Sequence, residues 1–307
     1  MISVALAAPV RSLPRGPGLA YEPKFDGHRM VVVRTAERVV LQARSGRIVT
    51  EAFPDLAAAA LSLPAGTVLD GEVVVWHAGR TDFALVQRRA AAPTAARAAV
   101  LARTLPASYA AFDVLELAGL DLRPRAYERR RALLLDLLLP LGPPLQPVPM
   151  TTDPELAATW YETLPASGIE GLVVKRLDQA YPAGRRAWQK LRHTDVRDAA
   201  VVGYTGTPRR PLALVLVLPV GDETPLVSSP LTAALRAEVA AAVAARGPGE
   251  AEGGGAGAGA TDPAGTVTAI GLGEVPFRPL DPPLAAEVRH TSTRHPPPEV
   301  LRLRTDI

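Results

Sequence analysis

No cysteine occurs in the 307 residues, which excludes disulfides, Cys-ligated zinc and a thiol nucleophile. Aromatic residues make up only 5% of the chain. No run of 18 uncharged apolar residues is present, so no membrane-spanning helix is expected. The apolar stretch near the N-terminus lacks a preceding basic segment, so no secretory signal is expected and a cytoplasmic protein is the simplest expectation. Lysine is nearly absent: of 34 basic residues, 31 are arginines and three are lysines, Lys24, Lys175 and Lys190. A GC-rich genome would explain that scarcity but not where the three survivors stand. They lie in YEPKFDGHR, EGLVVKR and WQKLR. Arginine stays protonated, whereas a lysine amine can lose its proton and attack an electrophile.

Hydrophobic residues make up 48% of the chain, enough for real cores, and the length suits two domains. The net charge of +3 is unevenly spread. Residues 195–307 carry 10 basic and 13 acidic side chains, and residues 1–194 carry 24 and 18. A basic excess in the first part fits a nucleotide or nucleic-acid partner, and fits a solvated arginine-rich face equally.

The first part reads as an α+β domain of antiparallel sheets with flanking helices. LAYEPKF and HRMVVVRT are expected strands around a turn at Asp26-Gly27. RVVLQAR and ASYAAFDVLEL are further strands, and TVLDGEVVVWHAGR has a hairpin signature. AYERRRALLLDLLLP is an expected helix ended by Pro140, and DPELAATWYETL one capped at Asp-Pro. IEGLVVKRL and RAWQKLRH return to strand. The pattern divides the chain into 1–194 and 195–307. In the second part, AAVVGYTG, LALVLVLPV, PLVSS, TVTAIGLG and LAAEVRH read as short strands and TAALRAEVAAAVAARG as a helix, which suits an OB-type barrel. A flexible Gly/Ala-rich insertion is expected at about 247–265. Within it, residues 253–258 match G-x-G-x-x-A, but acidic and Pro-containing linker surrounds them where a dinucleotide loop needs a strand and a helix.

Several constellations could carry chemistry. Lys24-Phe25-Asp26-Gly27-His28-Arg29 would hold an amine at a strand end near an acid and a cation, or be a plain hairpin turn with a Lys–Asp pair. Asp70-Gly71-Glu72 and Glu170-Gly171 each place a carboxylate at the start of an apolar strand. Together, Glu72 and Glu170 could hold Mg²⁺; separately, each reads as a turn acid. Alternation puts Lys175 on the face of Val173, and puts Trp188, Lys190 and Arg192 on one face of their strand. Cations sharing a strand face repel unless an anion lies between them, and a solvated edge strand is the alternative. Phe112 reads as a core residue or as a ring stacked on a purine.

In order along the chain, these segments resemble ATP-dependent DNA ligases of the short bacterial type, within the covalent nucleotidyltransferases. Lys24 to Arg29 resembles motif I, and Arg44-Ser45-Gly46 the adjacent element. Asp70-Gly71-Glu72 resembles motif III and Phe112-Asp113 motif IIIa. Glu170 to Lys175 resembles motif IV, Trp188 to Arg192 motif V, and Arg294-His295-Pro296 through Asp306 the family's ending. The resemblance implies an adenylation domain followed by an OB domain. It implies a lysyl–AMP formed at Lys24 from ATP with Mg²⁺ (or Mn²⁺), AMP transfer to the 5′-phosphate of nicked double-stranded DNA, and sealing by the 3′-hydroxyl. In that scheme Glu22 lies at the adenine edge and Phe112 stacks on the base. Lys175 and Lys190 hold the α-phosphate, and Glu72 and Glu170 the metal. Asp26, Arg29 and Arg44 join the nucleotide site, and Arg29, Arg44, Arg192 and Arg304 meet DNA, with Arg209 and Arg210 further candidates. A monomeric, nucleoid-associated repair enzyme is expected.

Three departures from the pattern stand out. The family's closing RxDK reads Arg304-Thr305-Asp306-Ile307, so the lysine expected at pyrophosphate is absent, with Arg302 or Arg304 as substitutes. Arg192 stands for the second motif V lysine, and the Gly/Ala-rich insertion interrupts the OB domain. Only 23 residues precede Lys24, so no separate N-terminal DNA-binding domain is expected. The alternatives are an RNA ligase or capping-type nucleotidyltransferase, and a catalytically weak nucleic-acid end-binding protein.

Overall fold

The structure is a computed structural model that describes residues 1–218, 224–245, 265–269, 273–291 and 297–304. The chain divides into two units, Met1–His193 and Thr194–Ile307.

The first unit opens with strands β1 (Leu6–Pro9), β2 (Leu19–Phe25), β3 (His28–Arg34) and β4 (Val39–Ala43), then helix α1 (Pro54–Ala59). β5 (Thr67–His77), β6 (Arg80–Thr81), α2 (Phe83–Ala90), α3 (Ala95–Thr104), β7 (Ala107–Leu117) and β8 (Leu120–Asp121) follow. The unit closes with α4 (Tyr127–Leu138), β9 (Leu145–Pro147), α5 (Pro154–Thr163), β10 (Ile169–Arg176) and β11 (Arg186–Arg192). Two mainly antiparallel sheets result, one in the order β1-β11-β10-β2 and one in the order β4-β3-β5-β7-β8, with β6 and β9 attached.

Burial explains the layering. On β3, Met30 and Val32 face a core shared with Phe53, Leu56, Leu134 and Leu138 from the helical side. Val31, on the opposite face, packs with Val68 and Leu115 against Trp188 of the other sheet. The five-strand path is therefore covered on both faces, which its run of β-branched residues requires. The outer face of the smaller sheet buries Tyr21, Leu172 and Val174 against Ala157 of α5. Asp153 caps α5 by accepting from the Glu155 amide, as its Asp-Pro start indicated.

Several local expectations change. Asp26-Gly27 does not close a hairpin. β2 belongs to the smaller sheet and β3 to the larger, so this turn carries the chain from one sheet to the other. Gly27 is needed there because a Cβ would lie 2.2 Å from the Val73 carbonyl oxygen. Asp70-Gly71-Glu72 lies inside β5, paired with both β3 and β7, rather than at a strand start. β11 is flanked by β1 and β10, so the edge-strand alternative fails. β1 and helices α1 to α3 had no counterpart in the sequence reading.

The second unit contains β12 (Thr194–Thr207), β13 (Arg210–Val217), β14 (Leu226–Val227), α6 (Ala233–Ala245), β15 (Gly265–Ala269), β16 (Gly273–Thr291) and β17 (Glu299–Arg304). The sheet runs β14-β13-β12-β16-β15, with β17 on β16. Val201, Leu214, Leu216, Ala286 and Val288 form its core with Leu235 and Val239 of α6. β16 is longer than expected and runs through four prolines, Pro276, Pro279, Pro282 and Pro283. Opposite β12, pairing passes from Leu284 to Pro279, so residues 280–283 bulge and the last two prolines interrupt no ladder bond. The Gly/Ala-rich segment lies outside the described residues except for Gly265, the first residue of β15. Residues 292–296 and 305–307, which include most of the ending that departs from the family pattern, also lie outside them.

Candidate active site

Where the two sheets of the first unit face each other, they enclose a cavity of about 220 Å³. Its walls bring together Glu22, Lys24, Arg29, Arg44, Glu72, Phe112, Lys175, Lys190 and Arg192, residues from six separate sequence segments. Glu170 lies directly beneath Lys24 and is buried. Asp26 is close by, but its side chain is not part of the wall. Arg304 lies in the second unit, on β17, where Nη1 is 2.8 Å from Asp198.

Lys24 is the last but one residue of β2, and its Nζ forms an ion pair with Glu170 of β10. The second Glu170 oxygen is 3.5 Å from Nε of Arg192. Gly171 lets β10 and β11 approach here: its φ is +143°, and a Cβ would lie 2.0 Å from the Leu191 carbonyl oxygen. Burial raises the Asp26 carboxyl to about 6, reinforced by Glu170's charge and opposed by Lys24 and Arg192. Burial likewise raises Glu72 to about 7, opposed by Lys24 and Arg29. The Lys190 ammonium is pushed down by burial, then by Arg192 and Lys24. The cavity and its immediate surroundings therefore hold carboxyls that resist ionisation and an ammonium that gives up its proton more readily than usual.

Arg29 is held on all sides. Its Nε and Nη2 donate to Asp70 at 3.0 and 2.6 Å. Asp70 also accepts from the Tyr181 hydroxyl, which in turn accepts from the Ala5 amide at 2.9 Å. The guanidinium lies 5.2 Å from the Phe112 ring centre and 5.4 Å from that of Trp188. Its tie to Asp70 keeps it charged despite burial.

Lys175 forms the opposite, deeper wall. It is 2% exposed and lies 4.5, 4.6 and 5.0 Å from the ring centres of Trp188, Tyr127 and Phe112. Nζ is 2.7 Å from Glu22 Oε2 and donates to the Phe112 carbonyl at 2.9 Å. The Tyr127 hydroxyl donates to the other Glu22 oxygen. The result is a fixed acceptor–donor pair, Glu22 and Lys175, beside exposed ring surface of Phe112 and the side chain of Val173. That combination suits the edge and face of a heterocyclic base.

The sequence reading overlooked three participants. Tyr181 and Tyr127, which orient Asp70 and Glu22, stand in segments with no local signature. Arg186 also lines the cavity. It continues the alternation of Trp188, Lys190 and Arg192 by one step, so the pattern itself could have found it.

A lysine amine beside a carboxylate, a base-shaped recess and a concentration of cations form the equipment of nucleotidyl transfer. Comparisons agree. The family model for the ATP dependent DNA ligase domain matches residues 5–192. DNA ligase C2 of Mycolicibacterium smegmatis is 38% identical over 204 residues, covering 66% of this chain and 57% of that protein. DNA ligase C of Mycobacterium tuberculosis is 34% identical over 208 residues, with the same coverages. The chain thus spans little more than half the length of these curated relatives. A mycobacterial DNA ligase D structure, complexed with ATP and MES, aligns over 100% of this chain and 96% of its own, at 25% identity and a TM-score of 0.55. The ligase domain of M. tuberculosis LigD gives 25% identity and a TM-score of 0.56. This chain belongs to the ATP-dependent DNA ligase domain family.

Proposed function

We propose that the chain seals nicks in double-stranded DNA, with ATP as adenylate donor and Lys24 as the covalent nucleophile. The observation that carries this reading is the meeting of Lys24, Glu170, Lys190 and Arg192 at one end of a cavity whose other wall is the Glu22–Lys175 pair. With adenine at Glu22 and Phe112, the α-phosphate falls toward Lys24 and Lys190. Lys24 reacts as the free amine, its proton passing to solvent. The Nζ lone pair then forms a bond to the α-phosphorus, and the bond to pyrophosphate breaks with the electron pair on the leaving group. AMP next passes to the 5′-phosphate of a nick, and the 3′-hydroxyl displaces it. Lys175, enclosed by three rings and paired with Glu22, serves the base edge in this scheme rather than the phosphate expected from its motif.

Glu72 and Glu170 offer hard oxygen donors suited to Mg²⁺, which commonly takes one or two carboxylates and completes its shell with water and substrate phosphate. The ion would offset charge on the phosphates. Glu72 must ionise to hold it.

In the second unit, the strand order and the approach of β14 to β15 support a closed OB-type barrel. Arg209, Arg210, Arg302 and Arg304 would belong to its polynucleotide-facing equipment, with Arg302 or Arg304 in place of the missing terminal lysine. The protein would act as a monomer in the cytoplasm, at the nucleoid. The test is sealing of nicked DNA and nicked RNA duplexes with ATP or GTP. DNA sealing with ATP alone is expected. Sealing confined to RNA, or label transferred from GTP, would favour the RNA-ligase or capping-type alternative. Binding of ends without any covalent step would favour an end-binding protein.

A further inference from the structure

Tyr127 is enclosed, at 1% exposure, and takes no part in the cavity wall. It opens α4, and that end of the helix is fixed from two sides. The Glu128 amide donates to the Leu177 carbonyl, just past β10, at 2.9 Å. Arg130, on the next turn, donates to Asp113 of β7 at 2.7 and 2.9 Å. From this position the Tyr127 hydroxyl donates to one Glu22 oxygen, and its ring centre lies 4.6 Å from Lys175 Nζ. Burial, and then the Glu22 charge, hold the phenol well above its usual range, so it stays a donor.

The pair that does reach the cavity is thereby fixed in order. Glu22 is held by Tyr127 at one oxygen and by Lys175 at the other, the latter at 2.7 Å. Lys175 is held by three rings and by the Phe112 carbonyl at 2.9 Å. A carboxylate only accepts and an ammonium only donates. Adenine presents a 6-amino donor beside its N1 acceptor, whereas hypoxanthine and guanine present a 6-oxo acceptor beside an N1–H donor. A base held in one orientation therefore matches the pair at both positions or opposes it at both. Two changes would spoil that discrimination. A carboxyl free to turn loses its aim, and one that takes up a proton becomes a donor to a 6-oxo group. The Tyr127 hydroxyl opposes both, because a hydrogen bond to the charged form favours that form.

We propose that Tyr127 sets the base preference of the cavity: its hydroxyl holds Glu22 as a fixed acceptor, so that a 6-amino purine nucleotide is taken and a 6-oxo one refused. Tyr127 touches no substrate and acts through Glu22, so it is a positioning residue. It also stands outside every segment that carries the family resemblance. The inference rests on the reading of this cavity as a nucleotide site with the base at Glu22 and Lys175.

The test uses the full chain as native protein, Tyr127→Phe, Glu22→Gln and the double variant. Tyr127→Phe keeps the ring against Lys175 and removes only the hydroxyl. Calorimetry gives affinities for AMP and for inosine 5′-monophosphate, which lack the pyrophosphate leaving group that covalent transfer needs. The native protein should prefer AMP. Tyr127→Phe is expected to lower the ratio of the two affinities about tenfold, the worth of one hydrogen bond to a charged group. Glu22→Gln should lower it too, and adding Tyr127→Phe to that variant should lower it no further. An unchanged ratio in Tyr127→Phe, with or without equal loss for both nucleotides, overturns the inference, and so does a further fall in the double variant. Native protein with no preference for AMP, whether it binds both nucleotides or neither, overturns it as well. Lysyl–AMP formation from ATP by native protein is scored separately. Its absence would defeat the transfer reading, while the two monophosphates would still decide Tyr127.

Discussion

The two units differ in where they bury charge. In the first, several charged pairs lie inside, beside exposed ones such as Arg15–Glu155 and Arg176–Asp178. Arg130 donates to Asp113 at 2.7 and 2.9 Å with both side chains buried, Arg89 pairs with Asp55, and Arg29 pairs with Asp70 at the cavity. In the second, the pairs Arg289–Glu299, Arg302–Glu287 and Arg304–Asp198 are largely exposed, over an apolar core. Replacing a buried pair with apolar side chains often costs little stability, so stability alone does not explain the first arrangement. What the buried pairs provide is fixed direction. Asp70 aims Arg29, and Lys175 aims Glu22, each at the same cavity. The second unit is held by packing, and its charges remain available to solvent or to a partner.

Breaking one partner of a buried pair should have the largest effect. Asp70→Ala leaves Arg29 charged and uncompensated, and is expected to cost about 3–5 kcal/mol in urea unfolding and to abolish lysyl–AMP formation. Leu214→Ala strikes the other kind of architecture. Leu214 is fully buried, so about 3 kcal/mol is expected, read by hydrogen exchange as loosening of the second unit while β3, β5 and β7 stay protected. Equal loosening of both units would remove the distinction drawn here.

Glu72 sharpens the comparison through pH. Its carboxyl is raised from 4.5 to about 7, so between those values the folded state holds a proton that the unfolded state has lost. Its contribution to stability therefore falls as pH rises through that window and is flat above it. Glu72→Gln, neutral throughout, is expected to melt about 2–4 °C above the native protein at pH 8 and close to it at pH 4.5. Lysyl–AMP formation by native protein should rise through pH 7 as Glu72 ionises, and Glu72→Gln should lose that rise. The smallest effect belongs to the exposed pairs: Arg289→Ala should change unfolding by at most about 1 kcal/mol.

Much of this was legible in the sequence because local rules and tertiary demands agree there. The β7 segment, the β5–β6 hairpin and the Asp153 cap all follow from alternation, turn residues and capping chemistry. Trp188, Lys190 and Arg192 do share the cavity face, as alternation required. Where the two diverge, the cause is a long-range partner. Asp-Gly reads locally as a tight turn, whereas Asp26-Gly27 is a sheet-to-sheet crossing shaped by the Val73 carbonyl. Asp70-Gly71-Glu72 reads as a turn before a strand, yet β3 and β7 enclose it on both sides. The prolines of β16 break a strand by local rules, and a bulge opposite β12 accommodates two of them. Lys175 carries the motif of a phosphate ligand, but its aromatic surroundings and Glu22 come from four other segments that no local pattern links.

The most direct measurement is the intact mass of native protein and of Lys24→Arg after incubation with ATP and Mg²⁺. An AMP-sized gain in the native protein alone is the expected result, since only the lysine amine can form the phosphoramidate. An equal gain in Lys24→Arg, or no gain in the native protein, would contradict Lys24 as the nucleophile of the cavity.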